Sequence, residues 1–254
     1  ECIKQGAADY LMKDRLTRLG PAVVHALQEK ELRDEKRRAD QMLRRREAIL
    51  EAVSFAAGRF LQATSWEQNI QEVLERLGRA AAASRVYIFE NFTDAEGALL
   101  TSQRYEWAAP GVTPQIDNPD LQNFPLQAGG FGRWVELMSR AEPVCGHLRD
   151  FPESEREILA AQGIKSLVVA PIFVAQEWWG FIGFDECLAE HEWSAGEGEA
   201  LKAAAGILGA AIQRRRAEES LRHSEFRFRT VADFTYGWEF WMALEGHFVY
   251  VSPS

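Results

Sequence analysis

The chain has 254 residues, 46% hydrophobic and 26% charged, an ordinary balance for a soluble globular protein of one or two domains. Its longest apolar stretch, Leu167–Ala175, is far short of the roughly 18–20 residues a membrane helix requires, and the odd, widely spaced set Cys2, Cys145 and Cys187 argues against a disulfide framework and for a reducing cytosol. The net charge of −9 comes with Arg-rich runs, Lys30–Arg46 and Arg214–Arg229, that are interleaved with Glu and Asp, so they read as solvated or coiled-coil faces and not as a nucleic-acid grip.

In chain order, Gly6-Ala7-Ala8-Asp9-Tyr10-Leu11-Met12-Lys13 comes first. It resembles the last strand of a response-regulator receiver domain. Tyr10 falls at that family's aromatic switch position and Lys13 at the lysine that reaches the phosphoryl group. The sequence departs from the family in placing Asp14, not proline, after Lys13. The resemblance implies a receiver tail over residues 1–28. The phosphoacceptor aspartate, the acids that hold Mg²⁺ and the switch hydroxyl would then precede residue 1, leaving this stretch unphosphorylated.

A helical pattern starts near Arg15 and runs to about Ala63, with Pro21 in its early turns. From Leu32 a heptad can be laid down through Glu35, Ala39, Met42, Arg46, Ile49, Val53, Ala56 and Phe60. It predicts a parallel dimeric coil through the linker helices, with residues 29–47 as linker and Leu208 also near the seam. The alternative is a single long helix whose apolar part, Ile49–Phe60, packs on the next domain. A second amphipathic helix begins at Trp66, with Ser65 as N-cap, Gln68 at the third position and Ile70, Val73, Leu74 and Leu77 as its apolar face.

Arg85–Phe92 and Leu99–Trp107 then read as a hairpin around Asp94–Gly97. A long Pro/Gly/Asn/Asp-rich connection, Pro110–Gly130, has the character of a lid. Phe131–Ser139 reads as a helix, Val144–His147 as a strand, and Glu153–Gln162 as a helix. Ile164–Val174 and Trp178–Phe184 form a second strand pair, with Pro171 at a bulge or with its nitrogen side unpaired. Glu197 to about Phe228 is a long helix with the apolar stripe Leu201, Ala205, Leu208, Ile212. The order is α+β: an antiparallel sheet with helices on one face.

Over residues 48–216 four segments carry a resemblance: Arg85-Val86-Tyr87-Ile88-Phe89-Glu90-Asn91, Gly132-Arg133-Trp134, Arg149–Arg156, and Trp178-Trp179-Gly180-Phe181-Ile182-Gly183-Phe184-Asp185. They resemble motifs of GAF domains in bacterial sensor proteins. Residues 217–229 read as a second helical linker. Leu221–Arg229 through Tyr250–Ser254 resembles the leading helix and first hairpin of a PAS domain, which would begin at residue 230 and include only a start.

The GAF resemblance implies a small-ligand pocket between the sheet and the short helices. Strand alternation puts Tyr105 with Trp107, Ser166 with Val168, and Trp179, Phe181, Gly183 and Asp185 together. Phe131 and Trp134 are natural walls on the covering helix, so the expected pocket comprises Tyr105, Trp107, Phe131, Trp134, Ser166, Phe181 and Asp185. A plain aromatic core without room for a guest is the competing reading.

No cofactor is identified. Phe184-Asp185-Glu186 lacks the Asn-Lys pair of cyclic-nucleotide GAF domains, and Cys145-Gly146-His147 lies on a strand where a bilin-attaching cysteine is not expected. Lone His147 or His191 is weak ground for haem, and Cys187 with His191 does not make a zinc site. His223-Ser224-Glu225-Phe226-Arg227 lacks the Thr-Pro-Leu continuation of a histidine-kinase phosphoacceptor helix. The sequence thus predicts a non-catalytic sensory and transmission segment of a cytosolic signalling protein, with a purely structural dimerisation module as the rival.

Overall fold

The computed structural model describes residues 19–63, 65–234, 240–243 and 248–251. Tyr10 and Lys13 lie outside them.

The first helix, α1, covers Leu19–Gln62 and has Pro21 in its first turn, where a missing N–H is tolerated. A 3₁₀ turn at Trp66–Gln68 leads into α2, Ile70–Ala81. The expected Ser65 cap is not made: its hydroxyl engages the Glu67 carboxylate and no backbone N–H. The stripe Ile70, Val73, Leu74 and Leu77 is buried as its spacing predicts, and each such side chain contributes roughly 1.5–3 kcal/mol of burial. The helix ends at Ala82 in the left-handed conformation.

The sheet contains β1 (Arg85–Thr93), β2 (Leu99–Ala108), β3 (Phe124–Pro125), β4 (Val144–His147), β5 (Ser166–Val174) and β6 (Glu177–Glu186). Its strands are all antiparallel, in the order β3-β2-β1-β6-β5-β4. One face packs against α1, α2 and α5 (Ala195–Phe234) through Ile49, Leu74, Val86, Ile88, Ile172 and Leu201, among others. The opposite face carries α3 (Gly132–Ser139), α4 (Glu153–Ala161) and the 110–130 connection. A final hairpin pairs β7 (Phe240–Met242) with β8 (Phe248–Val251).

Two irregularities flank the central strand and decide which side chains face where. Along β1 and β2 the register steps from Ile88↔Tyr105 to Phe89↔Gln103, leaving Arg104 without a partner in the ladder. Along β5 and β6 it steps from Ile172↔Gly180 to Phe173↔Trp178, leaving Trp179 extra. An extra residue inverts the alternation beyond it. Tyr105 and Trp107 therefore join the helical side, although Thr101 and Gln103 share their parity and line the other face. Trp179 likewise parts from Phe181. Pro171 stays in register opposite Phe181, one residue before the step.

The heptad seam is corrected in its second half. Ile49, Val53, Ala56 and Phe60 are buried in the chain's own core, as is Leu208. A side chain used there is not free to fill another chain's hole. Leu32 and Met42 remain exposed.

Backbones approach closely at Gly209 on α5. A Cβ there would lie 2.1 Å from the Phe173 carbonyl oxygen, so the helix rests directly on the sheet backbone.

Candidate functional site

Between the sheet and the α3–α4 side lies a chamber of ≈ 50 Å³, within a cleft whose empty space, counted out to solvent, is ≈ 560 Å³. Its walls combine sheet residues (Arg85, Tyr87, Phe89, Thr101, Gln103, Glu106, Phe181, Asp185) with Phe131 and Trp134 of the α3 segment, Leu159 and Gln162 of the α4 segment, and Gln115, Leu121, Phe124 and Leu126 of the long connection. Phe89 and Phe181 stack with centroids 4.8 Å apart, and Trp134 meets Phe181 edge-on at 6.1 Å.

The polar end of the chamber is built on three residues. Asp185, near the end of β6, accepts from Arg85 Nη2 at 3.0 Å and from the Tyr87 hydroxyl at 2.9 Å. Arg85 and Tyr87 are two apart on β1, so alternation brings both to the cavity face. Arg85 also donates to the Gln162 carbonyl at 3.1 Å and to the Thr113 carbonyl at 3.4 Å, tying the end of α4 and the long connection to the sheet. Burial pushes the Asp185 carboxyl up to about 6, against the lowering influence of Arg85 and Tyr87. The Tyr87 hydroxyl is raised well above its ordinary value by burial first and then by Asp185.

A second buried carboxylate fixes the wall. Glu155, in the first turn of α4, receives Arg133 Nε at 2.9 Å, Arg133 Nη2 at 2.6 Å and the Trp134 indole N–H at 2.9 Å. The indole is thereby locked toward Phe181.

The connection from Pro110 to Gly130 does cover this face. Glu106 Oε2 accepts from the Gln115 and Ile116 amides at 2.7 and 2.9 Å, and Asn123 N donates to Ser102 Oγ at 2.8 Å. Arg85 Nε, Gln103 Oε1 and Glu106 Oε1 are buried without partners.

Of the predicted pocket residues, Phe131, Trp134, Phe181 and Asp185 meet around the chamber. Tyr105, Trp107 and Ser166 do not. Tyr105 packs edge-on against Trp66 at 5.4 Å, and Trp107 lies over Gly78 of α2. Ser166 sits on the helical face, where its hydroxyl accepts the His191 amide at 3.1 Å. Arg85, Tyr87, Gln103 and Glu106 were missed. The signal for the first two is a basic and a phenolic residue two apart at the head of an apolar strand.

On the helical side a polar cluster joins α1 to the start of α5. Ser194 and Glu197 form a reciprocal capping box: Ser194 N donates to Glu197 Oε2 at 2.8 Å and Glu197 N donates to Ser194 Oγ at 3.2 Å. The His191 ring bridges Arg45 of α1, at 3.0 Å from Nδ1, and Glu197, at 3.3 Å from Nε2. Burial opposes ionisation of Glu197, but the bonds from His191 and Ser194 prevail and hold its carboxyl below the ordinary range.

A family model of the GAF domain matches residues 65–212. The chain belongs to the GAF domain family. Among curated relatives it is 45% identical over 179 residues to the methanogenesis regulatory histidine kinase FilI of Methanothrix harundinacea (strain 6Ac), covering 70% of this chain and 20% of that protein. It is 28% identical over 149 residues to an uncharacterized protein of Azorhizobium caulinodans, covering 56% of this chain and 20% of the relative. The chain thus spans about a fifth of the length of the curated relatives it matches. The GAF fold is shared with two solved structures: the far-red absorbing dark state of JSC1_58120g3 with bound biliverdin IXa (TM-score 0.55, 19% identity, 65% of this chain and 99% of that one) and the phycocyanobilin-bound GAF domain from a cyanobacterial phytochrome (TM-score 0.54, 22% identity, 68% and 96%).

Proposed function

We propose that this GAF domain is the sensory and transmission part of a cytosolic signal-transduction protein. A small ligand enters the cavity, and its occupancy biases α1 and α5, which lead to neighbouring modules. The observation that carries this reading is the chamber itself, where the Arg85–Tyr87–Asp185 cluster meets an aromatic wall beneath a covering connection. The 45% identity to a regulatory histidine kinase supports a kinase-regulating role. The flanking receiver tail and PAS start belong to the same proposal, as do a homodimer through the linker helices and the absence of catalysis in this segment. Among the described residues no helix is long and apolar enough to cross a membrane.

The bilins of the solved relatives do not carry over. A chamber of ≈ 50 Å³ is far below the roughly 300–1,000 Å³ of ordinary ligand pockets, and neither Cys145 nor Cys187 lines it.

A route from cavity to helices is available in β5 and β6. One face of each walls the cavity side and the other carries α5, while Ser166 at the head of β5 holds His191 in its cluster with Arg45 and Glu197. A structural dimerisation module is the second reading, favoured by the small chamber and by an apolar groove of ≈ 210 Å³ between α1 and α5, lined by Phe60, Leu61, Ile207 and Ala210. Native mass spectrometry of the purified chain separates the two. The sensory reading expects a retained small molecule whose removal speeds hydrogen exchange in residues 111–130. No retained molecule, with those amides as slow as the sheet beneath them, would favour the structural module.

A further inference from the structure

The polar cluster on the helical side can answer a stimulus of its own, independent of any guest in the cavity. Arg45 Nη1 of α1 lies 3.0 and 3.2 Å from the two ring nitrogens of His191, and Glu197 Oε1 lies 3.3 Å from Nε2. A guanidinium only donates and an ionised carboxylate only accepts. The neutral imidazole with its hydrogen on Nε2 satisfies both, donating to Glu197 and leaving Nδ1 to accept from Arg45. A protonated ring donates from both nitrogens. It offers Arg45 no acceptor and sets a second positive charge against the guanidinium.

Burial decides which contact then gives way. The Glu197 side chain is fully buried, and its Oε2 is taken by the Ser194 amide and hydroxyl, each at 2.8 Å, so it cannot follow. Arg45 keeps 38% of its side chain exposed and can turn outward to water. Its direct distance to Glu197 is 4.0 Å, with both carboxylate oxygens already engaged. The other groups around the ring add no charge: the Ser166 hydroxyl of β5 holds the His191 amide, and Trp193 meets the ring edge-on at 4.4 Å. Cys145 of β4 feels the Glu197 charge, and burial raises its thiol, which keeps it neutral. The flanking acids Glu190 and Glu192 are exposed, and Glu190 pairs with Arg149. We propose that His191 is a proton-binding site serving as a second input: taking up a proton releases Arg45 and loosens α1 from the first turn of α5, where α1 passes from exposed Met42 to buried Ile49. The stem of Arg46 still lies against Gly196, so α1 is loosened there and not detached.

Hydrogen exchange on the full chain at about pH 5 and about pH 8, corrected for the intrinsic pH dependence of amide exchange, tests this across the range where imidazole changes charge. In the parent, protection from Met42 to Ile49 and around Ser194–Glu197 is expected to fall roughly five- to tenfold at the lower pH. His191→Gln, whose amide donates to Glu197 and accepts from Arg45 without changing charge, should keep the higher protection at both. Arg45→Met, which retains the stem, should show the lower protection at both. Asp185 cannot imitate the effect, since its carboxyl, pushed by burial up to about 6, adds stability as pH falls. Protection in the parent that does not fall at the lower pH overturns the proposal, as does a fall that survives in His191→Gln. NMR of the parent supplies a second test that needs no variant. The Arg45 Nε–H signal should move along the same titration curve as the His191 Hε1 signal, and two unrelated curves would overturn the assignment.

Discussion

Asp185 is held by Arg85 and Tyr87 at the end of β6, and truncating it leaves a buried guanidinium without its counter-charge. Asp185→Ala should cost about 3–5 kcal/mol in urea unfolding, and replacing the pair together by Arg85→Met with Asp185→Leu should recover most of that loss. A full loss in the double variant would mean that the Gln162 and Thr113 bonds matter more than the ion pair. The pH dependence has a definite sign. Asp185 titrates at about 6 in the folded protein and at 3.8 ordinarily, so its contribution to stability is fully present below about pH 4 and is lost as pH rises through 6. This dependence should vanish in Asp185→Asn. Glu197 behaves oppositely, since its folded value is depressed: its contribution is present above the ordinary carboxylate range and is lost below it as pH falls through the folded value. The aromatic and acidic character of Phe131, Trp134, Phe181 and Asp185 was legible because they sit on uninterrupted stretches. Arg85 and Tyr87 were visible as a motif, but nothing local told that their partner would be Asp185 across the β1–β6 pairing.

Amphipathic helices were read closely because a 3.6-residue period survives small errors in the ends. α2, α3 and α4 differ from expectation by only a few residues. Strand faces are less forgiving. One extra residue at Arg104 and another at Trp179 moved Tyr105, Trp107 and Trp179 to the helical side, and no sequence period announces such a step. The heptad on α1 was a true apolar stripe with two readings, and its second half, Ile49–Phe60, fills the domain's own core as the single-helix alternative expected. If the chain dimerises through α1 and α5, the seam must use what remains exposed: Leu32, Met42, Leu43, Leu50 and Leu61 on α1, beside Ala210 and Leu221 on α5. Leu50→Glu should then shift the mass in light scattering from dimer to monomer without changing the melting of the monomer. Ile49→Glu, one residue away, should instead unfold the domain, because it buries an unpaired charge. A monomeric parent chain at high micromolar concentration would remove the dimer from the proposal.

The whole domain is a sheet with the small cavity on one face and the long helices α1 and α5 on the other. Coupling between them is testable without a known ligand. Arg45→Ala, which removes the contact from α1 to the His191–Glu197 cluster, should speed hydrogen exchange around Ser194–Glu197 and in the neighbouring turns of α1, and a coupled cavity should answer in the 111–130 amides; unchanged 111–130 amides would remove this route from the proposal. The way α5 can answer the cavity is further constrained at Gly209. Sliding the helix by a turn would bring Ala205 or Gln213 to the point where even a methyl group would lie 2.1 Å from the Phe173 carbonyl. Turning it on its axis would meet the same obstruction. Gly209→Ala should accordingly cost about 1–3 kcal/mol in urea unfolding, and a neutral outcome would show the seat to be loose. A rod that can neither slide nor spin at its point of rest can still rock there. Under the proposed sensory function the Phe173–Gly209 contact would act as a fulcrum, so that a small movement of the sheet would be delivered as a larger sideways swing at the far end of α5.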